Sequence, residues 1–414
     1  MNDQTPTSDS SVHPSGSALF STTRERFNLA ESLVYLDGNS LGPPVRSVPG
    51  RVERTIREEW GGDLITSWTK HGWFTLARSV GDRIGRLIGA PADTVVAGDT
   101  ISVNLFKVLG AAMSLSAPRK VILTDTGNFP SDLYVAQGLG KLLGDVEVRL
   151  VEPEAVFDSI SDDIAVVMLT EVDYRTARLH DMRAINEKAR KHGVLTVWDL
   201  AHSAGAIPVD LEGTGADFAV GCTYKYLNGG PGAPGFTYVR QGLAAKVETP
   251  IAGWWAHADP FAFDLDFRPA PGITGFQCGT QSILALVALD EALSVWDGID
   301  VRDVRAMSIR LSEVLSHEVE TRCRRHGLTL AGPRDFTRRG SHVSFHCPEG
   351  YAVMQALIAR GVVGDFRAPD MIRFGITPLY IGEADVRRAA AIIAEVLDTR
   401  AWDQPQFRKR QAVT

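Results

Sequence analysis

An aspartate and a lysine, each at the end of a strongly apolar run, are the side chains of this chain best suited to chemistry. Asp199 ends the run VLTVWD, whereas Lys225 follows DFAVGCTY and precedes the glycine-rich YLNGGPG. A desolvated lysine can lose its charge and form an imine with an aldehyde. A carboxylate can keep a pyridine nitrogen protonated, so the pair indicates a pyridoxal phosphate site. A helix-capping aspartate and a solvated surface lysine remain the simpler alternatives.

A cofactor phosphate would need backbone amides and hydroxyl groups, and the stretch DTISVNLF (99–106) offers both. Thr100 and Ser102 carry hydroxyls, and the amides of Ile101 and Ser102 would point from a helix N-terminus toward an anion. An ordinary helix cap at Thr100 explains the same residues equally well.

Three further side chains could contact the ring of such a cofactor. In TGNFPSD (126–132), Phe129 offers a ring for stacking and Asp132 offers a hydrogen-bond acceptor. His202, three residues after Asp199, could stack on the ring or bind a phenolic oxygen, although a lone histidine is more often structural.

Arg373 lies between Ile and Phe in MIRFGITPLY, so its guanidinium needs a carboxylate from the protein or from a substrate.

The composition excludes several other classes of protein. The chain has 414 residues, 44% hydrophobic and 22% charged, with a formal net charge of −7 and therefore no basic face for nucleic acid on average. Its four scattered cysteines form no CxxC pair, so neither a disulfide framework nor a metal site is indicated. We expect a cytoplasmic protein, because the N-terminal stretch lacks an apolar segment and no apolar run approaches the length of a membrane span.

Apolar runs alternate with amphipathic stretches along most of the chain, which predicts an α/β fold with a mostly parallel sheet between helices. After about residue 285 the pattern changes to that of a smaller α+β domain. The predicted organisation is a disordered leader (1–18), an N-terminal segment packing with the small domain (19–60), a large cofactor-binding domain (61–297) and a small C-terminal domain (298–414).

Ten strings of residues, in this order, resemble the kynureninase family from about Tyr35 to the last helix. The strings are YLDGNSLG, EEWG, SVNLFK, NFPSD, WDLAHSAGA, GCTYKYLNGGPG, GWWAHADPFAF, CGTQSI, GSHVSF and MIRFGITPLY. The resemblance implies a fold-type I pyridoxal phosphate enzyme with a seven-stranded sheet. It also implies hydrolysis of L-kynurenine, or of 3-hydroxy-L-kynurenine, to anthranilate, or 3-hydroxyanthranilate, and L-alanine. The pathway would serve tryptophan catabolism or NAD biosynthesis.

The resemblance also assigns roles to individual residues, with Lys225, Tyr224 and Asp199 as the catalytic group. Lys225 would bind the cofactor aldehyde, Asp199 the ring nitrogen, and Arg373 the α-carboxylate of the substrate. Trp254 and Thr280 match positions donated by a second subunit, which implies a homodimer with shared sites. The other implied cofactor contacts are Ile101, Ser102, Phe129, Pro130, Ser131, Asp132, Thr170, His202 and Tyr224, and the other implied substrate contacts are Trp68 and His202.

The chain departs from the family pattern at two places. The segment after Thr170 reads EVDYRTA, so Glu171 and Asp173 add negative charge where relatives tend to carry neutral or histidine side chains. In the phosphate loop, Ile101 replaces a threonine and leaves only a backbone amide.

Three other functions are compatible with a pyridoxal phosphate site. A cysteine desulfurase or related lyase needs a nucleophilic cysteine, for which Cys347 in SFHCPEG is the candidate, although it reads more simply as the end of a strand. An aminotransferase would need a 2-oxo acid and would leave the Cβ–Cγ bond intact. A non-catalytic regulator would carry a basic DNA-binding module, which is absent from this sequence.

Overall fold

The computed structural model describes residues 22–247 and 249–410, so the predicted leader 1–18 lies outside the described residues. The strands are β1 (Val34–Tyr35), β2 (Val95–Ala97), β3 (Val121–Asp125), β4 (Glu147–Val151), β5 (Ile164–Thr170), β6 (Leu195–Asp199), β7 (Phe218–Gly221), β8 (Phe236–Val239), β9 (Thr329–Ala331), β10 (His342–His346), β11 (Val362–Val363), β12 (Asp365–Arg367) and β13 (Met371–Gly375). The main helices are α1 (Val48–Arg54), α2 (Leu76–Leu87), α3 (Ile101–Leu115), α4 (Pro130–Leu143), α5 (Met182–Lys191), α6 (Ile283–Ala292), α7 (Val301–Cys323), α8 (Gly350–Ile358) and α9 (Glu383–Asp398).

A seven-stranded sheet in the order β2-β8-β7-β6-β5-β3-β4 forms the centre of the large part of the molecule. Its neighbouring strands are parallel except for β8, which runs antiparallel to both β7 and β2. Every residue of β5, β7 and β8 is buried, as expected for a sheet covered on both faces. The predicted fold class is confirmed.

A second, four-stranded antiparallel sheet in the order β12-β13-β10-β9 lies in the C-terminal part. The N-terminal strand β1 pairs in parallel with β11, so residues 34–35 lie beside this part of the chain. The predicted domain boundaries at residues 60 and 297 stay a prediction. Among the described residues, no helix is long and apolar enough to cross a membrane.

The strands that the apolar pattern does not reveal are short or lie at sheet edges. In β4 (EVRLV), Glu147 and Arg149 alternate with apolar residues and form an ion pair on the exposed face. Charged side chains on an edge strand discourage pairing with another chain. The strand therefore lacks the continuous apolar run that marks its buried neighbours.

Gly81 allows helix α2 to pack closely on strand β2. A Cβ atom at this position would lie 2.2 Å from the carbonyl oxygen of Val95, an atom that cannot move without shifting the sheet.

We expect Gly81→Ala to lower the free energy of unfolding by about 1–3 kcal/mol. Gly138→Ala, in an exposed turn of α4 with nothing within 4 Å, should instead raise it by about 0.5–1 kcal/mol. Urea unfolding of both variants measures the two changes in the free energy of unfolding. Equal changes would contradict the close packing of α2 on β2.

Candidate active site

The carboxyl ends of the central strands bring the predicted acid and lysine to one edge of the sheet. Thr170 ends β5 and lies opposite Asp199, which ends β6. Lys225 follows β7, the next strand across, in a half-buried loop. Open α/β sheets bind their ligands at this edge.

Lys225 and His202 contact each other directly. The Nζ atom of Lys225 lies 3.3 Å from Nε2 of His202, whereas Nδ1 of His202 has no partner among the described residues. Burial and the charge of Lys225 hold the pKa of His202 well below its ordinary value. The imidazole is therefore neutral, and its Nε2 can accept a hydrogen bond from the lysine.

Asp199 and Asp132 form a buried pair of acids behind the lysine. Burial raises the pKa of Asp199, and the charge of Lys225 opposes that rise. Burial followed by the negative charge of Asp199 raises the pKa of Asp132 well above its ordinary value, so Asp132 holds the proton. Thr170 lies between the acids and donates toward Oδ2 of Asp132 at 3.5 Å. A cationic ring nitrogen beside Asp199 would stabilise its ionised form.

Two helix N-termini meet at the predicted phosphate site. Thr100 caps α3, because its hydroxyl accepts a hydrogen bond from the amide of Val103 at 3.4 Å. The ordinary helix cap expected as the simpler alternative is therefore present. Ser102 and Ser131 lie in the first turns of α3 and α4, and their hydroxyl oxygens are 3.1 Å apart. Backbone amides and hydroxyls from both helices therefore face the same region, which suits an anion.

Phe129 stands immediately before α4, where Pro130 provides the first helical residue. The Phe129 ring is 41% exposed and contacts the edge of the Tyr174 ring at a centroid distance of 5.1 Å. Asn128 holds this turn in place, because its Oδ1 accepts from the Phe129 amide at 2.7 Å and from the Thr170 hydroxyl. The exposed ring leaves a face available for stacking.

The N-terminal loop packs against the segment that carries Tyr224 and Lys225. The amide of Gly42 donates to the carbonyl of Tyr224 at 2.7 Å, and a Cβ atom on Gly42 would lie 2.3 Å from the carbonyl oxygen of Lys225. Only glycine, which has no Cβ atom, allows the backbone at position 42 to come this close to the carbonyl of Lys225. The Tyr224 ring centroid is 5.8 Å from Nζ of Lys225, and burial raises the pKa of the Tyr224 phenol, so it stays protonated and can donate a proton.

Arg373 is fully buried and is held by a carboxylate of the protein. Its Nε donates to Oδ1 of Asp365 at 2.7 Å, and further donors reach Oδ2 of Asp365, the carbonyl of Tyr174 and the hydroxyl of Ser40. Burial opposes ionisation of Asp365, but Arg373 and Arg367 outweigh it and lower the pKa of Asp365 to about 2. The guanidinium is therefore fixed in charge and orientation.

Three predicted site residues lie on or near the surface of the chain, two of them in an aromatic region. Trp254 is 43% exposed and packs edge-on against Trp255, and Thr280 is also exposed. Trp68 is half-buried and contacts Trp255 at a centroid distance of 5.2 Å. Phe261 extends the same surface by packing against Trp254.

Glu171 and Asp173, where the chain departs from the family pattern, have different surroundings. Glu171 directly follows β5, and its amide donates to the carbonyl of Asp199 at 3.0 Å. Its side chain is buried, Oε2 has no partner in the described part of the chain, and burial raises the pKa of Glu171 to about 7. Asp173 instead accepts hydrogen bonds from Arg175 and Thr176 and stabilises a turn.

Cys347 lies directly after β10 and is 2% exposed. Burial raises the pKa of its thiol to about 12, so the nucleophilic thiolate is disfavoured. This environment favours the structural interpretation of the cysteine over the desulfurase one.

Sequence reasoning missed the groups that orient the predicted residues, chiefly Asp365, Ser40, Asn128 and His342. A signal for Asp365 existed: it interrupts the apolar stretch VVGDF, and a buried arginine requires a buried acid. Asp365 lies directly opposite Arg373 in the pairing of β12 with β13. His342, whose ring lies 5.7 Å from that of His202, carries no comparable signal.

The donor set fits pyridoxal phosphate group by group. The two helix N-termini suit the phosphate, Phe129 the ring, buried Asp199 a cationic ring nitrogen and Lys225 the aldehyde.

Solved structures of low sequence identity share the fold. The apo cysteine desulfurase of Thermococcus onnurineus NA1 superposes with a TM-score of 0.78 at 17% identity, covering 92% of this chain and 98% of that chain. A mutant of C-DES, solved with glycine covalently linked to the PLP cofactor, gives 0.79 at 16% identity over 90% and 99%. The fold is that of the fold-type I pyridoxal phosphate enzymes.

Sequence comparison defines the family. The kynureninases of Burkholderia mallei and Pseudomonas fluorescens are each 48% identical to this chain over 397 residues, covering 94% of it and 95% of theirs. The family model of the kynureninase C-terminal domain matches residues 304–393. The chain belongs to the kynureninase family.

Glu171 makes the stability of the fold depend on pH. Because burial raises its folded pKa, the unfolded state loses this proton at lower pH than the folded state. The side chain therefore costs stability increasingly as pH rises from its ordinary value to about 7. We expect Glu171→Gln to stabilise the protein by about 2–3 kcal/mol more at pH 8 than at pH 5. Urea unfolding of the variant and the wild type at pH 5 and pH 8 measures the difference in their free energy of unfolding. The same difference at both pH values would contradict this prediction.

Proposed function

We propose that this protein hydrolyses L-kynurenine to anthranilate and L-alanine with pyridoxal phosphate bound at Lys225. The observation that carries the proposal is the group of half-buried Lys225 with buried His202 and Asp199 at the sheet edge, in a chain 48% identical to kynureninases over nearly its full length. The substrate range extends to 3-hydroxy-L-kynurenine, and comparing kcat/KM for the two substrates decides which is preferred. We also propose a cytoplasmic location.

Pyridoxal phosphate, when bound, supplies the electron sink for cleavage between Cβ and Cγ. The chain then contributes binding, orientation and proton transfer. Asp199 would hold the positive charge on the ring nitrogen, and the helix N-termini with Ser102 would bind the phosphate. Lys225 would hold the aldehyde, and its free amine would remove the α-proton of the substrate. Neutral His202 is placed to accept from Lys225.

Two other groups act on the substrate. Arg373, held in place by Asp365, binds the α-carboxylate as a fixed cation. Tyr224 stays protonated because burial raises its pKa, so it can give a proton to Cβ after anthranilate leaves.

We further propose a homodimer in which Trp254 and Thr280 complete the site of the partner. Both residues lie on the protomer surface rather than in the buried group around Lys225. They share that surface with large exposed apolar side chains, including Phe261, Phe263 and Leu265. Exposed apolar patches of this kind mark protein interfaces.

Replacing the catalytic lysine separates the proposed function from its rivals. We expect Lys225→Ala to lose the visible absorbance of the bound cofactor and to slow release of fluorescent anthranilate from kynurenine by roughly a thousandfold or more. Lys191→Ala, an exposed lysine at the end of α5, serves as the matched control. Normal turnover in Lys225→Ala would exclude the assignment, and sulfide release from cysteine by the wild type would favour the desulfurase alternative.

Mixed dimers test the shared site. A Lys225→Ala subunit paired with a Trp254→Ala subunit contains one complete site if Trp254 acts across the interface. Activity per mixed dimer should then be about half that of the wild type, although both parent homodimers are impaired. If Trp254 acts within its own subunit, neither site is complete and the mixed dimer gains nothing. Two purification tags allow the mixed dimer to be isolated before anthranilate release is measured.

A further inference from the structure

Lys107 is a lysine in the middle of helix α3 whose side chain is almost completely buried. Only 1% of the residue is exposed, and its Nζ makes two contacts in different parts of the chain. It forms an ion pair with Oδ2 of Asp99 at 2.8 Å and donates to the carbonyl of Phe276 at 2.6 Å. A buried lysine is expensive unless it is paired, so these contacts keep it in place.

At one end of this connection, Asp99 belongs to the loop that forms the predicted phosphate site. Its φ angle is 49°, in the left-handed region, and its carbonyl accepts from the amide of Gly235 at 2.8 Å. Asp99 directly precedes Thr100, the cap of α3. Fixing Asp99 therefore fixes the position of the amides that follow the cap. Without Lys107, the Asp99 carboxylate would be an uncompensated negative charge in a loop that binds an anion.

At the other end, the segment 276–281 connects to the surface aromatic region. A Cβ atom on Gly98 would lie 2.6 Å from Oε1 of Gln281, so the two loops are in close contact. The carbonyl of Cys278 accepts from the amide of Trp255 at 3.2 Å, and a Cβ atom on Gly253 would lie 2.3 Å from that same oxygen. The side chains of Lys107 and Gln281 thus connect the phosphate loop to the segment 276–281, and the backbone of that segment contacts the residues on either side of Trp254.

We propose that Lys107 is a positioning residue that couples the phosphate loop of one subunit to Trp254 and Thr280, the residues this subunit gives to its partner. The inference rests on the proposed shared-site homodimer. Cofactor binding at the phosphate loop then orders the donated segment, so the two sites of the dimer influence each other's affinity. By reciprocity, loosening the donated segment weakens cofactor binding in the other subunit.

A mixed dimer isolates the effect across the interface. One subunit is wild type and carries the only intact Lys225, and the other carries Lys225→Ala with or without Lys107→Met. The visible absorbance of cofactor bound to Lys225 then reports the affinity of the wild-type site alone. We expect Lys107→Met in the opposite subunit to weaken that affinity roughly tenfold, a typical size for coupling between sites. Lys120→Met, at an exposed lysine paired with Asp145, should leave it unchanged.

A parallel mixed dimer separates failure of this inference from failure of the shared site. Here Trp254→Ala replaces Lys107→Met in the Lys225→Ala subunit. If Trp254→Ala weakens the wild-type site and Lys107→Met does not, the coupling through Lys107 is wrong and the shared site stands. If neither substitution acts across the interface, both proposals are wrong.

A double-mutant cycle with Asp99→Asn provides a readout beyond loss of structure. Asparagine tolerates the left-handed conformation and removes the charge that Lys107 neutralises. Cofactor affinity should therefore fall less in Lys107→Met/Asp99→Asn than in Lys107→Met alone. Additive losses in the two single variants would overturn the electrostatic part of the proposal. Thermal unfolding without cofactor identifies any variant that fails to fold, and for such a variant Lys107→Gln takes its place.

Discussion

The active-site edge depends on one electrostatic constraint, the burial of the Asp199 carboxylate close to the Lys225 ammonium. A carboxylate removed from water needs a positive partner, and among the described residues the charge of Lys225 favours the ionised form of Asp199. Neighbouring Asp132 keeps its proton because burial and the charge of Asp199 raise its pKa, and His202 stays neutral because burial and the charge of Lys225 lower its pKa. A cationic ring nitrogen beside Asp199 would add a second positive partner for its carboxylate.

The buried Arg373 follows the same logic with the signs reversed. Arg373 is buried more completely than most arginines, and Asp365 makes that burial tolerable by accepting two of its donors. Arg367 contributes a second positive charge, with its Nη2 at 2.8 Å from Asp365. Asp37 also lies near these groups, and burial followed by the charge of Asp365 raises its pKa to about 7. Below that pH, one ionised acid faces two guanidinium groups, and the region keeps net positive charge that can attract an anionic group.

The parts of the fold with continuous apolar runs could be predicted from the sequence, and so could the residues at their ends. Thr170 ends a fully buried strand, Asp199 ends one that is buried beyond its first residue, and Lys225 follows a third, so the apolar runs place them at one sheet edge. Apolar periodicity does not identify Asp365, Asn128 or Lys107, because these side chains are polar and the packing of separate elements sets their contacts. The Lys107–Phe276 contact spans 169 residues, and no local pattern signals it. Edge strand β4 was missed because its exposed face is charged.

The pairing of β1 with β11 has a consequence for how the protein is made. Val34 emerges from the ribosome early, whereas its partner Val362 is synthesised more than three hundred residues later. Gly42, a few residues beyond β1, packs directly on the backbone that carries Lys225. Strand β1 therefore cannot form its pairing until β11 has been synthesised, and the loop that follows β1 reaches the backbone of Lys225. A product that stops before β11 would contain all seven strands of the central sheet and still lack the pairing that holds its first strand.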